Sequence, residues 1–221
     1  MNKTAIIIPS RLDALRLPNK PLKLINNKEM ILHVYEAAKK TNTGEVYVAT
    51  PDQKIIDIII SNGGKAVLTS LNHQTGTDRI YEVFKTKLKS EPNVIVNLQG
   101  DMPNIDPQAI TDLVSYMHKD QCDIGTLASS FSSESELIDE NNVKVSVKDK
   151  LATNIFQKAT DFFRAGVKNY KNFYHHVGIY AFTNKALVRY VSLERSKLEL
   201  KRKLEQLRAL ENDMSIHVGY I

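Results

Sequence analysis

The cations best placed to do chemistry follow directly on an apolar run near the start of the chain. Ala5, Ile6, Ile7 and Ile8 stop at Pro9, and Arg11, Arg16 and Lys20 come next, with Pro18 and Pro21 stiffening the path. Arginine offers forked donors and lysine a compact charge, and both suit phosphate oxygens. A buried strand that delivers three cations to its carboxyl end reads as a polyphosphate holder, because open α/β sheets bind ligands there. The loop lacks the glycines of a Walker loop. An exposed basic loop would carry the same residues.

Four further segments hold reactive types. Asn97-Leu98-Gln99-Gly100-Asp101-Met102-Pro103 places a carboxylate just past an apolar run. That is a position for Mg²⁺ between protein and phosphates, or an ordinary turn. His73-Gln74-Thr75-Gly76-Thr77-Asp78-Arg79 reads first as a helix cap. Arg79 in a first helical turn opposes the helix dipole, and a residue set against a local preference can mark a site. In Tyr174-His175-His176-Val177-Gly178-Ile179-Tyr180 the adjacent histidines point to opposite faces of a strand, so they cannot share one metal. Leu204-Glu205-Gln206-Leu207-Arg208-Ala209-Leu210 reads as part of a leucine-striped surface or dimer helix.

The elements that must position these residues alternate through the first 120 residues. Strands are predicted at 4–8, 45–49, 66–69 and 94–98, and helices at 29–40, 53–61, 78–89 and 108–117. Four β-α repeats imply right-handed crossovers and a mostly parallel sheet flanked by helices. Further on, 124–131, 177–182 and 216–221 read as strands, and 132–142 as loop with at most a short helix. Val143, Val145 and Val147 alternate with polar residues, which predicts a half-exposed strand. Residues 151–173 show no clean period. Helices are predicted at 184–192 and, unbroken, at 196–210, where Leu200, Leu204, Leu207 and Leu210 suggest a dimer contact.

With 221 residues, 42% apolar and 25% charged, the chain is sized for one domain with a normal core. No apolar stretch is long enough to cross a bilayer, which predicts no membrane insertion. The chain enters a strand at once without a secretory leader pattern, which predicts a cytoplasmic protein. Cys122 is the single cysteine, which excludes an internal disulfide and a cysteine-based zinc cluster. A net charge of +5 suits an anionic ligand. The basic residues are scattered and no tryptophan is present, which argues against nucleic acid as a partner.

Taken together, the five segments resemble the 3-deoxy-manno-octulosonate cytidylyltransferases, or CMP-Kdo synthetases. The family's opening loop matches Ile8-Pro9-Ser10-Arg11 and Arg16-Leu17-Pro18-Asn19-Lys20-Pro21-Leu22; its later motifs match His73 to Arg79, Gln99 to Pro103, His176 to Ala181 and Leu204 to Arg208. The resemblance runs in order through nearly the whole chain. It implies a Rossmann-like nucleotide-diphospho-sugar transferase fold in a single domain over 1–221. Residues 1–120 would form a nucleotide-binding half and 121–221 a sugar-binding and dimerisation half. It implies transfer of CMP from CTP to the acid sugar Kdo, with pyrophosphate released, in lipopolysaccharide biosynthesis, by a homodimer using Mg²⁺. Arg11, Lys20 and Asp101 would be catalytic, with Asp101 the metal ligand. Ser10, Arg11, Arg16, Lys20, Thr77, Asp78, Arg79 and Gln99 would border the nucleotide. Gln99, His176, Tyr180, Glu205 and Gln206 would line the sugar site, with His176 among the donors to the sugar carboxylate.

Three departures shape the alternatives. Met102 stands where the family usually has glutamate. The family's Tyr-Phe-Ser-Arg-like stretch corresponds loosely to Ile155-Phe156-Gln157-Lys158-Ala159, with Lys158 in place of a forked guanidinium. The sequence ends at Ile221, before a family segment whose aspartate supplies a second magnesium ligand. The alternatives are therefore a truncated, catalytically impaired relative that still binds nucleotide, or a cytidylyltransferase for another acid sugar.

Overall fold

Alternation along the first strand sets up the layers. In the computed structural model, which describes residues 3–13, 17–119, 122–153, 155–165 and 171–221, strand β1 (Thr4–Pro9) is buried throughout. Ala5 and Ile7 face one hydrophobic core, while Ile6 and Ile8 face another. This two-sided burial is what a continuous Ile run in a central parallel strand requires. A 3₁₀ turn (Lys20–Leu22) and a small hairpin, β2 (Leu24–Ile25) and β3 (Lys28–Glu29), lead into α1 (Met30–Lys40). Then follow β4 (Glu45–Thr50), α2 (Gln53–Ser61), β5 (Ala66–Leu68), α3 (Gly76–Thr86), β6 (Val94–Leu98) and α4 (Pro107–Met117). Apolar residues of α1, α2 and α4 fill the core on one face of the sheet, and those of α3 help fill the other.

The second part contains β7 (Ile124–Ser129), α5 (Glu134–Ile138), β8 (Lys144–Val147), β9 (Gln157–Phe163), β10 (Phe173–Thr183), α6 (Asn184–Ser192), α7 (Lys197–Arg202), α8 (Gln206–Glu211) and β11 (Ile216–Tyr220). The nine-stranded sheet runs β5-β4-β1-β6-β10-β7-β11-β9-β8. The four strands of the β-α repeats are mutually parallel, and β7 pairs parallel with β11. β10 enters antiparallel between β6 and β7, and its first residues also pair with β8. This long strand therefore lays Ile179 and Tyr180 beside the carboxyl end of β6, opposite Leu98 and Asn97. The fold is Rossmann-like α/β, with helices on both faces.

Three local expectations are corrected. First, β8 is not half exposed; all four residues are buried between β9 and β10. The Lys144 ammonium is taken up by the carbonyls of Asp139, Asn142 and Arg164 at 2.6, 2.9 and 2.8 Å, and burial lowers its pKa. Second, residues 157–163 form β9, hidden from pattern reading because Ala159, Phe162 and Phe163 are buried without strict alternation.

Third, 196–210 is two helices, not one. Lys203 adopts a left-handed conformation (φ 55°, ψ 48°) and turns α8 back on α7. The reason is tertiary. Fully buried Glu199 accepts from Arg208 at 2.8 and 2.7 Å and from Arg195 at 3.0 Å. On a straight helix, residues nine apart lie on opposite faces about 13.5 Å apart, so this pair requires the break. Leu204 and Leu207 consequently sink into the chain's own core rather than forming an outward stripe.

Removing Glu199 would strand the buried Arg208 charge. Glu199→Ala is expected to cost about 3–5 kcal/mol, read as a Tm drop of roughly 10 °C. Burial alone would raise the Glu199 pKa, but the bonds from Arg208 and Arg195 outweigh it and the net shift is downward. The stabilisation is therefore fully present above the unfolded carboxyl pKa and is lost as pH falls through the lowered folded value. The Tm gap between wild type and variant should narrow in acid.

Candidate active site

Two hollows open beside the carboxyl ends of β1 and β6. The first, about 300 Å³, is lined by the loop after β1, the turn before α3 and the segment after β6. The loop is pinned where it leaves the strand: Ser10 donates its amide to the Ala49 carbonyl (2.9 Å), and Leu12 donates to Asp52 (2.8 Å). Asn19, left-handed at φ 56°, and buried Pro21 set the turn that presents Lys20. The lysine meets Asp101 at 2.7 Å.

Arg11 and Arg79 line the same hollow. Arg11 is exposed and forms no ion pair among the described residues. Arg79 is 3% exposed and donates to Thr69 Oγ1 (2.5 Å) and the Ser70 carbonyl (2.9 Å), with no carboxylate partner among the described residues. Its pKa is lowered, first by burial and next by the charge of Arg11. Two guanidinium groups that repel each other across a cleft, one of them buried, form an arrangement relieved by an anion. The Ser10 hydroxyl, also in this hollow, is buried without a hydrogen-bond partner.

The second hollow, about 260 Å³, lies between β6, β10 and the α7–α8 turn. On β10 the alternate residues His176, Gly178, Tyr180 and Phe182 all face it, as strand periodicity demands. A Cβ at Gly178 would project to 3.9 Å from the Gln99 side chain, so glycine keeps this space open. Burial, then the neighbouring His175, pushes the His176 pKa down to about 3, and the ring is neutral. Its partner fixes the tautomer. Thr126 Oγ1 donates to the Ile179 carbonyl at 2.7 Å and so must accept from His176 Nε2 at 2.9 Å. The Nδ1 lone pair then remains as an acceptor, which suits a sugar hydroxyl.

Gly76, Gln99 and Glu205 line both hollows and form the seam between them. Gln99 Nε2 donates to Asn97 Oδ1 at 3.0 Å, and Asn97 Nδ2 to Thr77 Oγ1 at 3.3 Å. Glu205 is carried at the start of α8, where Tyr190 donates to its backbone carbonyl (3.0 Å) and Arg208 stacks over the Tyr190 ring at 4.7 Å. The Glu199–Arg208 pair thus anchors the turn that presents Glu205 and Gln206.

Of the residues singled out in the sequence, Ser10, Arg11, Lys20, Arg79, Gln99 and Asp101 converge on the first hollow; Gln99, His176, Tyr180, Glu205 and Gln206 converge on the second. Thr77 lines the second hollow rather than the first. Asp78 lines neither; it accepts from Thr75 Oγ1 at 2.8 Å, and its amide donates back to that oxygen at 3.1 Å, capping α3. Arg16 lies outside the described residues. Lys158 is exposed on β9 opposite His217, away from both hollows. His73, in hydrogen-bond contact with Glu82, also lines the first hollow, and Asn97, Tyr190 and Lys203 line the second. His73 and Asn97 stood within segments singled out in the sequence; Tyr190 and Lys203 meet the site only through folding.

The donor set bears on a metal. No three metal-binding side chains cluster among the described residues. Asp101 offers one carboxylate at the rim, already engaged by a cation, the Lys20 ammonium. That fits Mg²⁺ held mainly by phosphate oxygens and water, not a cage built by protein alone.

Comparison with known proteins adds to this geometry. The family model described as cytidylyltransferase matches residues 5–216. The 3-deoxy-manno-octulosonate cytidylyltransferase of Brucella ovis is 41% identical over 99% of this chain and 88% of its own. That of Rhodopseudomonas palustris is 41% identical over 99% of this chain and 89% of its own. A solved structure of CMP:2-keto-3-deoxy-manno-octonic acid synthetase complexed with CTP superposes with a TM-score of 0.88 at 35% identity, covering 99% of this chain and 90% of that one. A cytidylyltransferase from Leptospira borgpetersenii, at 20% identity and a TM-score of 0.63 over 99% of this chain and 75% of that one, shares the fold.

Proposed function

This chain belongs to the 3-deoxy-manno-octulosonate cytidylyltransferases, and from that membership we propose that it transfers CMP from CTP to Kdo, releasing pyrophosphate. The observation that carries the reading is the seam: a cation-lined hollow and a hollow lined mostly by uncharged groups meet at Gln99 and Glu205.

In this reading Arg11, Lys20 and Arg79 hold the triphosphate, and the free Ser10 hydroxyl gains a phosphate partner. Such transfer needs alignment and charge neutralisation more than a covalent nucleophile. Forked donors fixed before the substrate arrives meet the negative charge that builds on the departing pyrophosphate. Asp101 would hold Mg²⁺, which would supply charge neutralisation at the phosphates. Gln99, fixed by Asn97, sits where nucleotide and sugar meet. His176 accepts from a sugar hydroxyl, and Tyr180, Glu205 and Gln206 supply further polar contacts. Asp78 orders the turn that carries Thr75 to Arg79, and Thr77 faces the sugar.

The acceptor's anomeric hydroxyl attacks the α-phosphorus and pyrophosphate leaves in line. The reaction belongs in the cytoplasm, its product serves lipopolysaccharide assembly, and the working form is a homodimer. No described helix is long and apolar enough to cross a membrane. Product analysis tests the reading. CTP with Kdo should give CMP-Kdo and pyrophosphate one for one, and neither substrate alone should react. Tight CTP binding by the folded protein without turnover would overturn it.

A further inference from the structure

We propose that Glu205 is the general base that takes the proton of the attacking anomeric hydroxyl. This rests on the reaction above and goes beyond a contact role for Glu205 in the sugar hollow. A hydroxyl that attacks the α-phosphorus from the sugar hollow must lie at the seam, since phosphates fill one side and the sugar the other. Glu205 is the carboxylate that lines both hollows among the described residues. Asp101 lines the first hollow alone and is engaged by Lys20. The Glu205 carboxylate forms no hydrogen bond or ion pair among the described residues, so a lone pair is free to accept the proton.

The neighbours suit the role. Burial raises the Glu205 pKa above its usual 4.5; Arg208 pulls it down, Glu199 and Asp78 push it up, and Arg195 lowers it slightly. Arg208 is itself taken by Glu199 and so neutralises Glu205 only in part. Neutral His176 and un-ionised Tyr180 and Tyr190 share the hollow, with Lys203 the one cation among its described lining residues. A base tuned toward the working pH accepts a proton better than an exposed carboxylate does.

The step balances. The hydroxyl oxygen forms a bond to the α-phosphorus, the bond from that phosphorus to the α–β bridging oxygen breaks, and pyrophosphate leaves with the electron pair. The proton passes to Glu205, which becomes a neutral acid and later returns the proton to water. The left-handed turn at Lys203 and the Tyr190 hydroxyl on the Glu205 backbone carbonyl place the residue at the seam without touching the proton.

The test uses the full chain with saturating CTP, Kdo and Mg²⁺. E205Q keeps the shape and the hydrogen bond to a hydroxyl but cannot take its proton. The expected result is a fall in kcat of about 10²–10³-fold, with both KM values within about threefold and CTP binding by calorimetry unchanged. The acid limb of the wild-type kcat profile, placed above pH 4.5 by the raised pKa, should disappear in E205Q and persist in E205D. A variant with wild-type kcat at saturation and only a raised KM for Kdo would overturn the base and leave a binding contact. No turnover by the wild-type protein would overturn both the base and the reaction.

Discussion

Replacing Asp101 by asparagine is expected to lower kcat at least about 10²-fold at saturating substrates, with little change in folded stability. The two halves of this expectation have separate causes. Asp101 and Lys20 are 52% and 36% exposed, so their ion pair contributes little to folding. A substitution there stays within about 0.5 kcal/mol. Catalysis is different, because in the proposed reading the lost charge is the one that would tether the divalent ion between protein and phosphates. Pyrophosphate release measured against Mg²⁺ concentration should show a lower plateau and a higher midpoint in the variant. An Asp101→Asn protein with the wild-type plateau and midpoint would remove Asp101 from the metal site.

The second large effect concerns the opposed guanidinium groups. Arg11→Gln should raise KM for CTP and Kd for pyrophosphate about 10- to 100-fold, which is about 1.4–2.8 kcal/mol. The unliganded protein should be no less stable than wild type. Arg11 has no ion-pair partner to lose among the described residues, and buried Arg79 is freed from a like charge. The thermal stabilisation that CTP confers on the folded state should shrink in step with the weakened affinity. Thermal scans with and without CTP read both quantities in one experiment. A variant that loses stability in the free state while binding CTP normally would mean that Arg11 supports the fold and not the ligand.

The catalytic end of the molecule was legible where chemistry and local pattern coincide. The β1 loop and the Asp101 segment could be placed from prolines beside an apolar run, and the helices at 53–61 and 184–192 from their apolar period, with Thr183 capping the second. Legibility failed where a distant partner decides. The Glu199–Arg208 pair breaks a helix that leucine spacing alone would continue. Lys144 enters the interior because three carbonyls from two segments converge on it. β9 escaped because its buried residues answer to β8 and β11 on either side and not to a two-residue period. In the site, the proton position on His176 depends on Thr126, fifty residues earlier in the chain. The seam exists only once folding brings Gln99, after β6, and Glu205, before α8, to the same two hollows.

The account stands on attack by the sugar's own anomeric oxygen on the α-phosphorus, at the seam of the two hollows. Kdo carrying ¹⁸O at that position, converted with unlabelled CTP, tests this most directly by ³¹P NMR of the product. The predicted result is an isotope-shifted CMP phosphorus, with the label in the bridge between sugar and phosphate and none in pyrophosphate. Product whose bridging oxygen is unlabelled would contradict the account, because the bond would then have formed by attack on the sugar carbon.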